Sequence, residues 1–545
     1  MNNPQRDVAT SDFPFRRRSK TGSRLTGLLA FLCVLAFAHG AWADLTLLFD
    51  TSKYSGGVWL QVQDPFVGTV NGLQATYSNG QKAITFGTHT QGTATVDNFM
   101  SNPVKLSDIG TGGLDIAFSN SCVFYLFYDD PSLGANYLTT APSVFDTLQR
   151  YQQFELTMRG VPGDQGNLTN IDCFTAPLSL SSYQYNPWTT PSQTPLKTTG
   201  YGGYTTVQIE KLIIDAGGAL SALKEGGKVI RYIGPSKYDP SNSALPANPW
   251  NSFINYAQSL STAGTQTTLQ RSNAFGYSAW TSTQTYTFGI DMVATAAADG
   301  TITATGKVTA SVANPASVTA GNPALPANGA WTDVSITLSP TTGAYLADSY
   351  NQIIYGQSAN PTIDPTTQKW VINNAAISLG PDWDAFQTFC INTRSDPSQP
   401  HDTTTNPSLW DLSAYNTTLN MAIGELTTGL LGGYYGSVVE GTSGGVTEPI
   451  GQMTSQDWWN MSPQLGFSQI QTNSNFYNRY ANVIWTASNN TVYGVPYSDR
   501  FGSGPLVDSV PAQGGTPIGY WVIGVGAPVG MRAPTGPLDL LLLDE

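Results

Sequence analysis

Hydrophobic and polar positions alternate through much of this chain. Asp44–Asp64 (DLTLLFDTSKYSGGVWLQVQD) reads as two strands around a Gly-Gly turn, and Leu114–Tyr128 (LDIAFSNSCVFYLFY) as a further pair. Phe154–Met158 and Asn170–Leu180 read as more strands, and Thr205–Asp215 alternates in part. Tyr286–Val312 carries a hairpin signal around Asp299-Gly300. Tyr477–Tyr497 returns to a strand pattern with Asn489-Asn490 as its turn, and Gly519–Val525 is a late strand. Helical spacing stands out once: Leu419, Ala422, Ile423, Leu426 and Leu430 recur on one face. Asp411 offers that helix an N-cap and Gly432-Gly433 a stop. Two copies of ALPAN, at 244–248 and 324–328, bracket a region expected to be a β-rich insertion. There is no Gly-rich dinucleotide fingerprint and no strand–helix repetition, so the expected fold is mainly β.

The N-terminus departs from this pattern. Arg16, Arg17, Arg18, Lys20 and Arg24 precede the apolar run Leu25–Ala38, and small residues follow at 41–43. That order describes a signal peptide cleaved before Asp44, and the run is short for a membrane span. A bacterial chain, secreted to the extracellular space or periplasm, is expected, without stable membrane insertion. Residues 1–43 hold six Lys/Arg and two Asp/Glu. Of the 24 basic and 37 acidic residues of the whole chain, 18 and 35 then remain, a net charge of −17. Nucleic acid is excluded as a partner of so acidic a surface, whereas a neutral polymer is not repelled. Charged residues make up only 11% of the chain, yet 26 Tyr and 13 Trp supply apolar area for a core. Cys122, Cys173 and Cys390 remain after the signal, so at most one intramolecular disulfide forms. The remaining histidines, His89 and His401, are too few for a histidine-rich metal site.

Candidate chemistry centres on Tyr151–Leu180 (YQQFELTMRGVPGDQGNLTNIDCFTAPLSL). Alternation puts Phe154, Leu156 and Met158 on one face and Glu155 and Thr157 on the other. Asp172 follows in the next strand-like run, beyond a turn-rich segment. An antiparallel hairpin sets Glu155 and Asp172 across from each other. Such a pair suits glycosidic hydrolysis, with one carboxyl donating a proton and the other activating water or attacking directly. The plain alternative is a hairpin with two solvated acids. Asp129-Asp130, after FYLFY, bind a sugar or calcium, or end a strand. Trp59, Tyr125, Tyr128, Tyr183, Tyr185 and Trp188 flank the region and offer rings for sugar stacking or for the core.

The segments FELT (Phe154–Thr157) and NIDCFTAPLSL (Asn170–Leu180) resemble the laminaripentaose-producing β-1,3-glucanases of glycoside hydrolase family 64, within the thaumatin-like superfamily. YGVPYSDRFG (Tyr493–Gly502) is similar to a late aromatic and acidic signature of thaumatin-like chains. The resemblance implies Glu155 as general acid and Asp172 as general base, with Thr157 a polar partner beside the acid; Tyr128, Asp129 and Trp188 are, from the reading of the flanking residues, the further candidate substrate contacts. Arg159 departs from it, standing where a small amide residue is expected, and the loop Gly160–Asn167 lacks an expected Trp. The implied fold is a β-barrel-like or sandwich domain with a mixed α/β second domain and a wide groove between them. The expected division is a signal at 1–43, a catalytic β-rich domain at 44–243, the insertion at 244–330 and a mixed domain at 331–545. The implied activity is inverting hydrolysis of β-1,3-glucan to short oligosaccharides by a monomer that needs no cofactor and no metal. The rivals are a non-catalytic glucan-binding or antifungal thaumatin-like protein, a surface structural protein, and a secreted pore-forming toxin.

Overall fold

The computed structural model describes residues 45–64, 73–77, 99–100, 103–131, 141–158, 164–237, 249–277, 284–313, 325–340, 349–356, 362–363, 370–372, 374–394, 413–472, 474–496, 507–508 and 518–531. The signal segment, His89, His401, Arg159, the first ALPAN, Asp411 and residues 497–502 lie outside them. Among the described residues strand exceeds helix, 36% to 25%, and the fold is mainly β as expected.

In chain order the strands that matter for the site are β1 (Leu45–Asp50), β2 (Trp59–Asp64), β3 (Leu114–Phe127), β4 (Tyr151–Met158) and β5 (Gln165–Leu168). They continue with β6 (Cys173–Phe174), β7 (Leu178–Tyr183) and β8 (Lys197–Gly200). Helix α1 (Thr206–Asp215) and strand β9 (Lys228–Ile233) follow, and then helix α2 (Ile254–Thr262). A second group comprises β10 (Gln266–Tyr277), β11 (Gln284–Ala296), β12 (Ile302–Val312), β13 (Ala330–Leu338) and β14 (Ile377–Leu379). Helices α3 (Asp382–Arg394), α4 (Ser413–Gly432) and α5 (Arg479–Ser488) precede the last strand, β15 (Tyr520–Val525).

The largest sheet runs β8-β7-β15-β1-β3-β4-β5, with β2 beside β3. Leu114–Phe127 is one long strand, not the expected pair. Its first half pairs with β1 and with Leu73–Tyr77, its second half with β2 and β4. The pairing with β4 shifts register between Ser119 and Cys122, and an irregularity of that kind bends a strand. The sheet thereby doubles over on itself. At Gly166 of β5 a Cβ would lie 2.6 Å from Leu156 Cδ2, 2.8 Å from Leu180 Cδ2 of β7 and 3.0 Å from Trp521 Cζ3 of β15. Only a residue without a side chain lets β5 come this close to the opposite layer. Between the layers, Phe124 stacks on Phe154 at 5.1 Å, beside buried Leu156, Met158, Leu168 and Leu180.

The second sheet is antiparallel, in the order β10-β11-β12-β13-β14. The Asp299-Gly300 hairpin joins β11 to β12 as the sequence predicts. Helices α2, α3 and α4 pack on this sheet, with Phe288, Trp331, Phe386 and Phe389 in mutual ring contact. The expected helix near 411–431 is α4.

Two segments read as strands are helices. Thr205 caps α1 in a reciprocal box with Gln208, and Thr206, Ile209 and Ile213 form its buried stripe. Asn489, expected in a hairpin turn, instead ends α5 in the left-handed conformation at φ 51°. Cys122, Cys173 and Cys390 are buried, and none of them is in a disulfide.

One buried acid ties α4 to β10. Glu425 is 2% exposed, receives the Ser455 backbone N–H at 2.9 Å, and lies 3.4 Å from Arg271 Nη1. Burial raises its pKa above the ordinary 4.5, against the pull of Ser455 and Arg271. The folded chain therefore binds the extra proton between 4.5 and the raised value, and this contribution to stability falls as pH rises through that window. Glu425→Gln is expected to flatten the fall in melting temperature across that range. An unchanged slope would assign the pH dependence to other groups.

Candidate active site

The register of three strand pairs builds the face that carries Glu155. Phe154, Leu156 and Met158 point into the core, as the alternation predicts. On the other face Glu155 stands between Val123 of β3 and Asn167 of β5, with Gln63 of β2 beyond Val123. Gln153 stands beside Tyr125, with Gln61 beyond it, and Tyr151 beside Phe127, with Trp59 beyond. The result is a face of amides and aromatic rings with one carboxylate set into it, on which Gln61, Gln63, Tyr125, Phe127 and Tyr151 are buried and Glu155, Gln153, Asn167 and Trp59 half-buried. Asn167 Nδ2 donates to Glu155 Oε2 at 3.3 Å, and Tyr125 Oη donates to Gln63 Oε1 at 2.8 Å. Thr157 shares this face one step beyond Glu155 and is buried.

The residue across from Glu155 is thus Asn167, not Asp172. The hairpin pairs Thr157 with Gln165, and that register carries Asp172 past the end of β4. The expected strand at Asn170–Leu180 is broken: residues 171–172 bend, β6 is two residues long, and Pro177 precedes β7. Asp172 instead lines a pocket of about 390 Å³ with Tyr125, Tyr151, Gln153, Thr169, Cys173 and Lys237. Gln153 and Glu155 are same-face neighbours on β4, so Glu155 lies one step, about 7 Å along the strand, from the pocket wall.

The segment after β9 fixes Asp172. Gly234 donates its N–H to the Asp172 carbonyl at 2.8 Å, and a Cβ at Gly234 would lie 2.3 Å from the Ile171 carbonyl oxygen. This close approach brings Ser236 Oγ to 3.0 Å from Asp172 Oδ1 and Lys237 Nζ to 3.8 Å from Oδ2. The carboxylate remains 37% exposed, so it is anchored from one side and open on the other.

The other wall of the pocket is Pro142–Phe145. Arg231 of β9 holds it in place. This guanidinium is fully buried and donates to the carbonyls of Ser143 at 3.2 Å, Val144 at 2.9 Å, Thr147 at 2.7 Å and Gln149. It also lies over the Tyr151 ring at 4.3 Å.

Titration behaviour narrows the chemistry. Burial pushes the Cys173 thiol up to about 11, which leaves it protonated and unreactive near neutral pH. Burial, aided by the Asp172 charge, raises Tyr125 far above its ordinary value, so its hydroxyl remains a donor. Among the described residues no three His, Cys, Asp or Glu side chains gather to hold a metal ion.

The remaining sequence candidates lie elsewhere. Tyr128 points into the core and is 3% exposed, with its ring edge-on to Tyr54. Asp129 is engaged by Arg150, through Nη2 at 2.7 Å, Nε at 2.9 Å and the backbone N–H at 2.8 Å. Trp188 stands on the loop after β7, outside the pocket lining. Sequence reasoning passed over Gln63, Gln153, Asn167, Ser236 and Lys237. The period-two signal that placed Glu155 also places Gln153, whereas Ser236 and Lys237 arrive by a long-range approach that no local pattern encodes.

Among the described residues no helix is long and apolar enough to cross a membrane. No family model and no curated protein matches the chain. Among solved structures it is similar to a β-1,3-glucanase domain (GH64) from Clostridium beijerinckii, at 13% identity over 89% of this chain and 98% of that one, with a TM-score of 0.36.

Proposed function

We propose that this chain is a secreted glycoside hydrolase that cleaves β-1,3-glucan by inversion, with Glu155 as general acid and Asp172 as general base. One observation carries the reading: Glu155 stands on a face of amides and aromatic rings beside a pocket in which Asp172 is anchored yet open. In the proposed reaction Glu155 gives its proton to the glycosidic oxygen as the bond to the anomeric carbon breaks. Asp172 takes a proton from a water molecule, whose oxygen attacks that carbon from the opposite side. Half-buried Gln153 and Asn167 are suited to hydrogen-bond sugar hydroxyls, and half-buried Trp59 to meet the apolar face of a pyranose ring. The acidic surface does not oppose a neutral polymer. This chemistry draws on side chains and water alone.

The test is reducing-end release from laminarin and curdlan by the purified chain beginning at Asp44, with proton NMR of the first product. Release of an initial α-anomer is expected. An initial β-anomer overturns inversion, and binding without release favours the non-catalytic glucan-binding protein instead.

A further inference from the structure

The loop joining β7 to β8 presents two aromatic rings to solvent. Its residues 184–196 read QYNPWTTPSQTPL, with three prolines and no charged side chain. Tyr185 is 56% exposed and Trp188 43%. Neither ring is exposed through slackness of the backbone. Gln193 brackets Tyr185, its Oε1 accepting the Tyr185 N–H at 3.1 Å while its Nε2 donates to the Tyr185 carbonyl. Asn186 Oδ1 accepts the Trp188 N–H at 2.9 Å, and the Asn186 carbonyl accepts the Thr190 N–H at 2.9 Å. The Leu196 N–H closes the loop onto the Ser182 carbonyl at 2.7 Å. A loop ordered before binding loses little entropy when it binds.

The loop is remote from the pocket. Just before β7, Thr175 and Ala176 donate their N–H groups to Gln152 Oε1, and Gln152 lines the pocket. The aromatic loop leaves the opposite end of β7, six residues on, a span of about 20 Å.

We propose that Tyr185 and Trp188 form a second carbohydrate-binding surface, which takes the apolar faces of pyranose rings and holds the chain on insoluble glucan. The choice of glucan rests on the hydrolase reading above; the class of ligand rests on the loop. Exposed rings among neutral Asn, Gln, Ser and Thr side chains match a sugar, which has C–H faces bordered by hydroxyls. The absence of Lys and Arg from the loop removes the attraction that anionic lipid or nucleic acid requires.

The experiment compares the full chain with its Tyr185→Ala/Trp188→Ala variant in co-sedimentation with curdlan and in hydrolysis of a soluble laminari-oligosaccharide. The bound fraction at limiting curdlan is expected to fall at least tenfold, with kcat/KM on the soluble substrate unchanged within twofold. Unchanged retention on curdlan overturns the proposal, as does a parallel loss of soluble turnover, which would place the loop in the cleft. Ring-dependent binding to zwitterionic lipid vesicles in place of curdlan also overturns it. If the wild-type chain sediments with curdlan through these rings but hydrolyses nothing, the hydrolase reading fails and the second surface stands. If it hydrolyses the soluble substrate without sedimenting, the reverse holds.

Discussion

Glu155→Gln and Asp172→Asn are each expected to lower turnover on β-1,3-glucan by about 10²–10⁴-fold, the range that general acid–base groups supply. Both changes keep the shape of the side chain. In the first variant the new amide still offers an oxygen to Asn167 Nδ2, and in the second it still offers one to Ser236 Oγ, so neither hydrogen bond is lost to the substitution itself. Unfolding curves should therefore move little while turnover collapses, and that separation distinguishes catalysis from scaffolding. The two losses differ in how they are repaired. Azide needs no base to activate it, so it should restore glycosidic cleavage to Asp172→Asn and yield the glycosyl azide of inverted configuration. It should do little for Glu155→Gln with a natural leaving group, which still departs unprotonated. Near-normal turnover in either folded variant would remove that residue from the mechanism.

Arg231→Met is expected to destabilise the chain by on the order of 2–4 kcal/mol, because it removes a buried charged donor set and takes this partner from four carbonyls, that of buried Thr147 among them. The Met stem fills much of the same space, so the loss is chiefly one of hydrogen bonds. Arg231→Lys should recover only part of it, since an ammonium is a compact point donor and cannot fork across four carbonyls. The consequence for the site follows from the wall at Pro142–Phe145. At temperatures where the variants stay folded, KM for glucan should rise several-fold with a smaller change in kcat. Urea unfolding and steady-state kinetics test the two halves. A stability within about 1 kcal/mol of wild type would show that the wall holds itself in place.

The parts of this molecule that were legible in its sequence are those governed by local periodicity. Alternation placed Phe154, Leu156 and Met158 in the core and Glu155 on the other face. Asp299-Gly300 marked its hairpin, and the apolar spacing from Leu419 to Leu430 marked α4. The failures came where two local signals compete. In α5 the β-branched and aromatic residues of RYANVIWTAS, followed by Asn489-Asn490, mimic a hairpin, yet Asn478 caps a helix there through the Ala481 N–H. In α1 the Thr205 and Gln208 box was present in the sequence but overshadowed by partial alternation. Register escaped for a different reason. Whether Glu155 faces Asn167 or Asp172 depends on where the hairpin closes, and a shift of a few residues is invisible in a turn rich in Gly and Pro. The anchoring of Asp172 by Ser236 and Lys237 depends on distant chain, Ser236 lying 64 positions further on.

The pairing of β1 with β15 sets a condition on how the molecule is made. Thr46 lies opposite Tyr520, and β15 is the strand that joins β1 to β7. Until Tyr520–Val525 has left the ribosome, β1 and β7 have no strand between them, and each presents a bare edge able to pair with another chain. Contacts this distant in sequence close late and slowly, because the entropy of the intervening chain is lost before the contacts are gained. The layered half of the molecule therefore closes only after residues 520–525 are made, and its two strand edges stay open to wrong pairing until then.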